Sequence, residues 1–526
     1  MKIKYYSLAA MLSLSLPVLA QETYQDVKLI DNDLNGTARY VGMGGAMEAL
    51  GAEISTISTN PAGLGLFRSS QVLISGGLVS QQDAKTSLPY DNFRFDGKKT
   101  NMSFDQIGLV WSHRYGRTSF VNVGFNYHKS RNFDQILSAM NTLSNASQNK
   151  NTARKYDYGK ELKKQYGGDV ADMVWNGVDA AYAEMLPYDK TNDVYGYFNA
   201  NRFMFGQYQK GYIGEYDFNI SGNINDRVYL GLTFGYHDVY YRSNSYYTED
   251  LVTTDNAIAN SWESLKITGS GFDIKFGGIF RPMADSPFRI GVYVNSPTFY
   301  DLDMSSTQDL EMGTTADNRS AKHGSSYSYK VYTPWKFGLS LGHTVGNYLA
   351  LGATYEYADY GSINNRLNSG SYYDGWSVYE TTTKDAEMNT HTSSTLKGVS
   401  TLKLGMEFKP VKDWAVRLGY NYLSPMFDKK GVRDGSVISP GTMNASSTDY
   451  TNWKSTNRFT CGVGYTVKKF NIDLAYQYSA QSGDFYPFMP YYYNADESAH
   501  VENNVADATK VDFKRHQLLL TLGYRF

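Results

Sequence analysis

The C-terminal segment of the chain reads as one β-strand with a polar and an apolar face. The residues that share the apolar face are Leu518, Leu520, Leu522, Tyr524 and Phe526. The residues that alternate with them on the other face are Gln517, Thr521, Gly523 and Arg525. Because the side chains of a strand point alternately to its two faces, this pattern predicts a strand with one face in an apolar environment. The pattern continues to the last residue, where a soluble protein more often has a loose, polar end.

The other end of the chain has the pattern of a secretory signal peptide. Lys2 and Lys4 precede an apolar run from Leu8 to Leu16, which is too short to cross a bilayer as a helix. Small residues then lead up to Gln21. We interpret residues 1–20 as a cleaved signal peptide. The alternative is a buried N-terminal helix.

An exported chain with low mean hydropathy and many aromatic residues suits a transmembrane β-barrel. The sequence after Ala20 contains no apolar run near eighteen residues. The whole chain is rich in aromatic residues, with 46 Tyr, 26 Phe and 7 Trp. Aromatic residues line both interfaces of such barrels, where only every second strand residue contacts lipid. The C-terminal strand resembles the assembly signal of bacterial outer-membrane barrels, so we expect Phe526 to be recognised by the barrel-assembly machinery.

Alternating segments recur along the chain and give a strand count. We predict strands at 69–82, 101–114, 117–130, 211–224, 226–243, 262–281, 287–302, 326–344, 347–360, 395–410, 413–427, 452–466, 469–481 and 511–526. Six of the gaps are tight turns and seven are long loops. This rhythm favours an all-β fold, a 14-stranded antiparallel transmembrane β-barrel with both termini on the periplasmic, short-turn side. A large soluble β-sandwich is the alternative, but it has no systematic alternation of short and long connections.

Loop 131–210 is long enough to contain structure of its own. Two apolar patterns predict helices. The first comprises Ile136, Leu137, Met140 and Leu143, and the second includes Val170, Met173, Val174, Val178, Ala181 and Met185. Either these faces pack on each other, or Met173, Val174, Val178 and Met185 form an exposed stripe that captures ligand above the barrel.

Residues 21–68 do not alternate and are rich in Gly and Ala. Small side chains let one backbone approach another closely, so this segment suits a confined space. We therefore predict that residues 21–68 form a plug in the lumen of a barrel built from residues 69–526. A barrel of fourteen strands is wide enough to hold such a segment.

Two motifs in this segment resemble a known family. Residues 36–46 (GTARYVGMGGA) and the triplet Asn60-Pro61-Ala62, followed by Gly63, are similar to the N-terminal hatch of the FadL/TodX family. Its members are outer-membrane transporters of long-chain fatty acids and other hydrophobic compounds, with fourteen-stranded barrels. The resemblance implies that Asn60, Pro61, Ala62 and Gly63 gate the barrel. In the family, substrate leaves sideways near a distorted third strand, for which segment 117–130 offers only Gly124.

Other motifs give no support to catalysis or metal binding. Asp31 and Asp33 match the start of an EF-hand loop, but Gly42 stands where the loop needs Glu, so a turn is the better interpretation. The eight His residues lack metal-ligand spacing, and no nucleophile elbow or phosphate-binding loop is present. The near-balance of 50 basic and 52 acidic residues gives no nucleic-acid signal. We predict a non-enzymatic protein without cofactor or metal.

Two further groups of residues have open interpretations. Inward-facing charges either pair with one another and hold the plug, or bind a substrate carboxylate through an Arg or Lys; they are Asp273, Lys275, Glu356, Lys403, Glu407, Arg417, Asp473 and Arg515. The aromatic loop 482–510 either packs as a lid or binds hydrophobic ligands or the membrane.

The main functional hypothesis is passive uptake of hydrophobic small molecules, such as long-chain fatty acids, by a monomer embedded in outer-membrane lipid. The alternative is a FadL-like barrel that serves as a secretion or surface-assembly scaffold and binds a protein partner. An apolar cavity between plug and loops would favour transport, and a filled lumen would favour the scaffold.

Overall fold

The computed structural model describes residues 22–85, 97–167, 177–314, 318–373, 376, 378–435, 437, 439, 448–491 and 503–526. The predicted signal peptide, Met173, Val174 and part of the aromatic loop lie outside the described residues. Among the described residues, no helix is long and apolar enough to cross a membrane.

Fourteen antiparallel strands form the closed barrel wall. Their bounds are β1 Gln71–Gln81, β2 Thr100–Arg114, β3 Phe120–Asn132, β4 Ala200–Ile224, β5 Val228–Leu251, β6 Ile258–Phe280, β7 Arg289–Asn295, β8 Lys336–Val345, β9 Leu349–Asp359, β10 Gly398–Val411, β11 Trp414–Leu423, β12 Tyr450–Val467, β13 Phe470–Tyr486 and β14 Thr509–Arg525. Each strand pairs with the next, and β1 pairs with β14 from Gln71↔Arg525 to Gln81↔Arg515, which closes the ring. The predicted fourteen-stranded barrel is confirmed.

The outward face of the wall is the apolar one. Leu232, Leu418 and Leu474 are 37%, 52% and 40% exposed, whereas their inward neighbours Thr233 and Asn471 are 0% and 8% exposed. The alternation that predicted these strands therefore corresponds to an exposed apolar face and a buried polar face.

Extra strands extend the wall on the long-loop side. One hairpin, Phe299–Gly313 and Asn318–Tyr332, follows β7 and pairs with the outer half of β6. A second hairpin, Asn364–Tyr373 and Val378–Lys384, pairs with the first. The sequence pattern predicted single strands over 287–302 and 326–344. Pro297 and Pro334 interrupt both, because proline has no N–H to donate to a β-ladder.

The first helix predicted in loop 131–210 is wrong. Residues Gln135–Ala146 form a strand that pairs with the outer part of β4. Tertiary pairing with an existing strand edge overrides the short apolar pattern around Ile136 and Leu143. Two helices follow, α3 at Gln148–Tyr166 and α4 at Gly177–Ala183, and a two-residue pairing joins Tyr188–Asp189 to Val194–Tyr195.

The segment before β1 runs through the barrel interior. It contains α1 (Thr23–Ile30), α2 (Ala38–Gly42) and two 3-10 helices, Ile54–Ser58 and Pro61–Leu66. In the later loops, α5 (Ala386–Thr395) lies against α1, and the 3-10 turn Tyr360–Ser362 lies against α5. We call residues 22–68 the plug.

The plug begins and ends at opposite ends of the barrel. Glu22 lies 3.3 Å from the Arg433 Nε, and the Tyr24 hydroxyl donates to Asn452 at the long-loop end of β12. At the short-turn end, the Phe526 N–H donates to the Ser70 carbonyl. The first described residue is therefore not on the short-turn side, in contrast to the expectation for both termini. An even strand count constrains only the ends of the wall, and a plug that crosses the lumen brings its start to the other side.

Candidate transport path through the barrel

A ring of wall glycines lets the plug backbone lie directly against the barrel. On ten wall strands, β2, β3 and β5–β12, a Cβ added to an inward glycine would lie within 3.5 Å of a plug atom; the glycines are Gly108, Gly124, Gly231, Gly277, Gly291, Gly342, Gly352, Gly405, Gly419 and Gly462. A Cβ on Gly352 would lie 1.9 Å from the Ala46 carbonyl oxygen, and a Cβ on Gly419 would lie 2.1 Å from the Gly44 nitrogen. Where the added Cβ would lie near 2 Å from the plug backbone, only glycine is possible, so plug and wall have complementary sequences.

The Asn60-Pro61-Ala62 triplet forms a defined bend against this ring. The Asn60 Oδ1 accepts a hydrogen bond from the Ala62 N–H at 3.2 Å, and Pro61 occupies the first position of the 3-10 helix. The Asn60 Nδ2 donates to the Glu48 carbonyl. Asparagine is a good capping residue because its side-chain oxygen accepts a hydrogen bond from an otherwise unpaired N–H of the first turn. Proline suits the first helical position because it has no N–H that would remain unpaired. A Cβ on Gly63 would lie 2.2 Å from the Thr56 Oγ1, which leaves room only for glycine.

We expect Gly231→Ala to unseat this bend. Its new methyl group would lie 2.4 Å from the Pro61 carbonyl carbon and 2.5 Å from the Ala62 nitrogen, so the plug backbone must move. Overpacking of this kind destabilises by about 1–3 kcal/mol. Hydrogen exchange of the plug amides near Pro61 should accelerate, and ion conductance of the reconstituted barrel should rise.

Gly278→Ala is the matched control for this variant. Gly278 lies on the neighbouring strand opposite Leu230, and its added Cβ would have no contact shorter than 3.7 Å. Equal exchange rates and conductance for the two variants would contradict the role of Gly231 in seating the plug.

Ion pairs attach the part of the plug around Arg39 and Glu48 to the wall. The Glu48 Oε1 accepts from the Lys403 Nζ at 2.7 Å, and its Oε2 accepts from the Thr354 hydroxyl at 2.7 Å. The Arg39 Nε lies 3.0 Å from Glu407, which also binds Arg417. The lumenal charges predicted from the sequence thus pair with one another and with the plug at these positions, as the first of the two interpretations expects.

Three arginines of the wall surround the plug carboxylates Asp31 and Asp33. The Arg515 Nη2 lies 2.8 Å from the Asp33 Oδ1, and the Arg131 Nη1 lies 2.9 Å from the Asp31 Oδ2. Arg458 lies 4.0 Å from Asp33. Three guanidinium groups face two carboxylates, and the Nε atom of each arginine is buried without a hydrogen-bond partner. This arginine cluster therefore retains a positive charge and unused donors.

A cavity of about 90 Å³ lies beside the arginine cluster. Its apolar lining includes Phe133, Met426, Phe427, Trp453 and Phe513. Sequence reasoning had singled out Arg515 but not Arg131 or Arg458. The inward position of Arg458 in the alternating segment 452–466 was the one available signal.

We call this cavity beside the arginine cluster the chamber, and helix α1 covers it from the long-loop side. The ring of Tyr24 stacks on Phe427 with centroids 5.0 Å apart, and the Thr23 hydroxyl contacts the Thr392 hydroxyl of α5 at 2.8 Å. Asp26 is fully buried, and neither carboxylate oxygen has a hydrogen-bond partner. Burial raises the pKa of Asp26 well above its usual value, and the nearby carboxylates of Glu22 and Asp385 raise it further. The helix is therefore docked most stably when Asp26 is protonated.

A second, larger space opens at the short-turn end. Two adjoining cavities of about 340 and 820 Å³ are lined by plug residues, including Ala52 and Leu66, and by basic groups, including Arg39, Lys409 and Lys412. The chamber and this vestibule have no lining residue in common. The plug lies between them.

The apolar residues of the outer loops form a packed core. Val178 and Met185 are 1% and 2% exposed, and they cluster with Phe203 and Phe485. The expected exposed stripe is therefore wrong for these two residues, since α4 and the turn that follows it are covered by the hairpin Phe299–Gly313 and Asn318–Tyr332. Phe485, Phe488 and Met489 are also buried, which agrees with the lid interpretation for the described part of the aromatic loop.

Comparison with known proteins finds similarity in structure only. No family model matches the sequence, and no curated protein is significantly similar to it. The CymD monoaromatic hydrocarbon channel is 11% identical, with a TM-score of 0.49 and coverage of 94% of this chain and 99% of that chain. The Ralstonia pickettii toluene transporter TbuX is 12% identical, with a TM-score of 0.47 and coverage of 94% and 99%. A Pseudomonas aeruginosa FadL homologue, from the family that the plug motifs resemble, is 12% identical, with a TM-score of 0.46 and coverage of 97% and 99%.

Proposed function

We propose that the protein is an outer-membrane channel for passive uptake of hydrophobic small molecules, with long-chain fatty acids as the substrate class. The observation that carries this proposal is the chamber between plug and loops, which combines an aromatic wall with the arginine cluster. Apolar walls favour a hydrocarbon chain by roughly 25 cal/mol per Å² removed from water, and arginine binds a carboxylate through charge-assisted hydrogen bonds.

The plug is the proposed gate, with Asn60, Pro61, Ala62 and Gly63 as its bend. The chamber of about 90 Å³ is smaller than the roughly 150 Å³ cavity that holds one benzene ring. A long-chain acid therefore enters only when α1 or the loops move, and it reaches the vestibule only when the plug moves. Flexible gating of this kind needs no bound nucleotide or ion gradient.

A disulfide lock between plug and wall tests the gate. A Cβ on Gly42 would lie 3.4 Å from the Gly462 Cα, and a Cβ on Gly462 would lie 3.5 Å from the Gly42 Cα, so cysteines at both positions are close enough to pair. The variant Gly42→Cys/Gly462→Cys is made in a Cys461→Ser background, because Cys461 is the native cysteine next to the site. Uptake of labelled oleate by proteoliposomes should fall to the level of empty vesicles on oxidation and return on reduction.

The two single-cysteine variants, treated with the same oxidant, are the controls and should transport normally. Wild-type transport by the oxidised double variant would disprove gating by the plug. No oleate uptake by the wild-type barrel itself would disprove the channel and would leave the secretion or assembly scaffold as the alternative.

A further inference from the structure

A buried cluster of imidazole and carboxylate groups lies inside the wall on the side of β3–β6. Its six members are His128 on β3, Glu215 and Asp217 on β4, His237 on β5, and Asp273 and Lys275 on β6. All are at most 7% exposed. None of them belongs to the arginine cluster or to the plug, so the transport proposal gives them no role.

Lys275 uses only half of the oxygens that the cluster offers. Its Nζ lies 2.6 Å from the Glu215 Oε1, 3.1 Å from the Asp217 Oδ1 and 2.7 Å from the Asp273 Oδ1. The second oxygen of Asp273 binds His237 and Thr298. The second oxygens of Glu215 and Asp217 face His128 instead.

The spacing between His128 and its two carboxylate neighbours is longer than a usual hydrogen bond, and its other polar contact is the Asn126 Nδ2, 3.4 Å from the Nδ1. Its Nε2 lies 3.5 Å from the Glu215 Oε2, and its Nδ1 lies 3.6 Å from the Asp217 Oδ2. Hydrogen bonds of imidazole to carboxylate are usually about 2.7–3.2 Å long. Ligand atoms bound at ~2.0–2.1 Å to a tetrahedral Zn²⁺ ion lie ~3.3–3.4 Å apart, which is close to the spacing of the Nε2 and the Glu215 Oε2. One ion binds one nitrogen of a ring, so the Asp217 Oδ2 is compared through the 4.8 Å limit that holds for all three ligand atoms.

Two further observations favour a cation at this position. The Asp217 Oδ2 takes part in no hydrogen bond although Asp217 is 0% exposed, and a buried carboxylate oxygen without a partner is strongly unfavourable. Three carboxylates and one ammonium also leave a charge of −2 when both imidazoles are neutral. One divalent ion balances that charge.

We propose that His128, Glu215 and Asp217 form a binding site for a divalent transition metal of the Zn²⁺ type. One ligand atom from each residue lies within 4.8 Å of the others. The ion takes the free oxygens of Glu215 and Asp217 together with one imidazole nitrogen, while Lys275 keeps the other two oxygens. His128 also lines a lumenal cavity of about 90 Å³, which supplies water as a fourth ligand and a route for the ion.

Such a metal would join β3 to β4 at a weak point of their ladder. The pairing of these strands shifts between Lys129 and Arg131, directly after His128. Ligands from both strands at this level hold the wall together across the bulge.

The test measures metal binding by the purified full-length barrel in detergent, after treatment with a chelator. Added Co²⁺ should give the visible absorption bands of a tetrahedral site, and Zn²⁺ should displace it and raise the melting temperature. Asp217→Asn and His128→Ala should weaken Zn²⁺ binding by more than the ~10–100-fold that changes around a metal site typically cause. His516→Ala is the control, because His516 contacts Tyr476 on the exposed side of the wall and should leave binding unchanged.

Three results of this test would overturn the proposed metal site. Absence of Co²⁺ bands in the wild type overturns the proposal without reference to any variant. Equal Zn²⁺ affinity in Asp217→Asn, or in His128→Ala, also overturns it, because the metal would then be bound elsewhere. Stabilisation by acid alone, with no response to Zn²⁺, would show that two protons balance the cluster and would likewise overturn the metal site.

Discussion

Glu48→Gln should destabilise the plugged barrel by about 3–5 kcal/mol. Glu48 is 0% exposed and accepts hydrogen bonds from Lys403, Thr354 and Tyr40. Its replacement removes the carboxylate that the buried ammonium of Lys403 contacts directly, and the more distant charge of Glu356 compensates only in part. Equilibrium unfolding in urea, followed by tryptophan fluorescence in lipid vesicles, measures the difference in unfolding free energy.

The double variant Glu48→Gln/Lys403→Met separates the ion pair from the general effect of mutation. It removes both charges, so it should recover most of the loss, since replacing a whole buried pair is often close to neutral. Lys322→Met is a surface control, because the Lys322–Asp309 pair is 70% and 48% exposed and should contribute at most about 1 kcal/mol. A Glu48→Gln protein as stable as the Lys322→Met protein would contradict the importance of the plug–wall pair.

Leu474→Arg should cost about 2–4 kcal/mol of folding free energy in a bilayer, because the charge would lie in lipid at the outer face of β13. Leu474 is 40% exposed there. Asn471→Arg, three residues away on the inner face, should cause a much smaller loss of folding free energy. Asn471 lines the vestibule of about 340 Å³, where an arginine side chain finds space and the carboxylate of Asp473. Folding into phosphatidylcholine vesicles at graded urea concentrations compares the two variants, and equal losses would show that the outer face is not in lipid.

Thr233→Arg is not suitable as a second control with a small effect, although strand alternation alone predicts that this inward position tolerates arginine. Thr233 is 0% exposed, accepts a hydrogen bond from the Asn219 amide and lies opposite Lys275 in the ladder. An arginine there would enter the dense charged cluster beside His128 rather than open space. Alternation identifies the inner face, but the packing of that face differs from strand to strand.

The wall was largely predictable because its pattern is local. A residue such as Leu418 alternates with its chain neighbours whatever the rest of the molecule does, and lipid imposes this pattern on every strand. The predictions failed where tertiary pairing decided the outcome. Gln135–Ala146 has an apolar pattern short enough to suit a helix or a strand, and the free edge of β4 made it a strand.

The candidate site was predictable only in its separate parts. The Asn60-Pro61-Ala62 bend was recognisable because its chemistry lies within three consecutive residues. The arginine cluster was not, since Arg131, Arg458 and Arg515 come from β3, β12 and β14 and meet at Asp33 only when the barrel closes around the plug. The same holds for His128, Glu215 and Asp217, which the pairing of β3 with β4 brings together.

The sequence by itself determined a lipid-facing wall of fourteen strands and a small-residue segment suited to its interior, because alternation and side-chain size act on neighbouring residues. Only the tertiary structure decided the path of that segment, which runs from the long-loop end to the short-turn end, and the partners of its charges. Glu48 and Lys403 are 355 positions apart in the chain. Their contact depends on how the plug sits against the wall glycines, a property of the closed barrel that no local pattern contains.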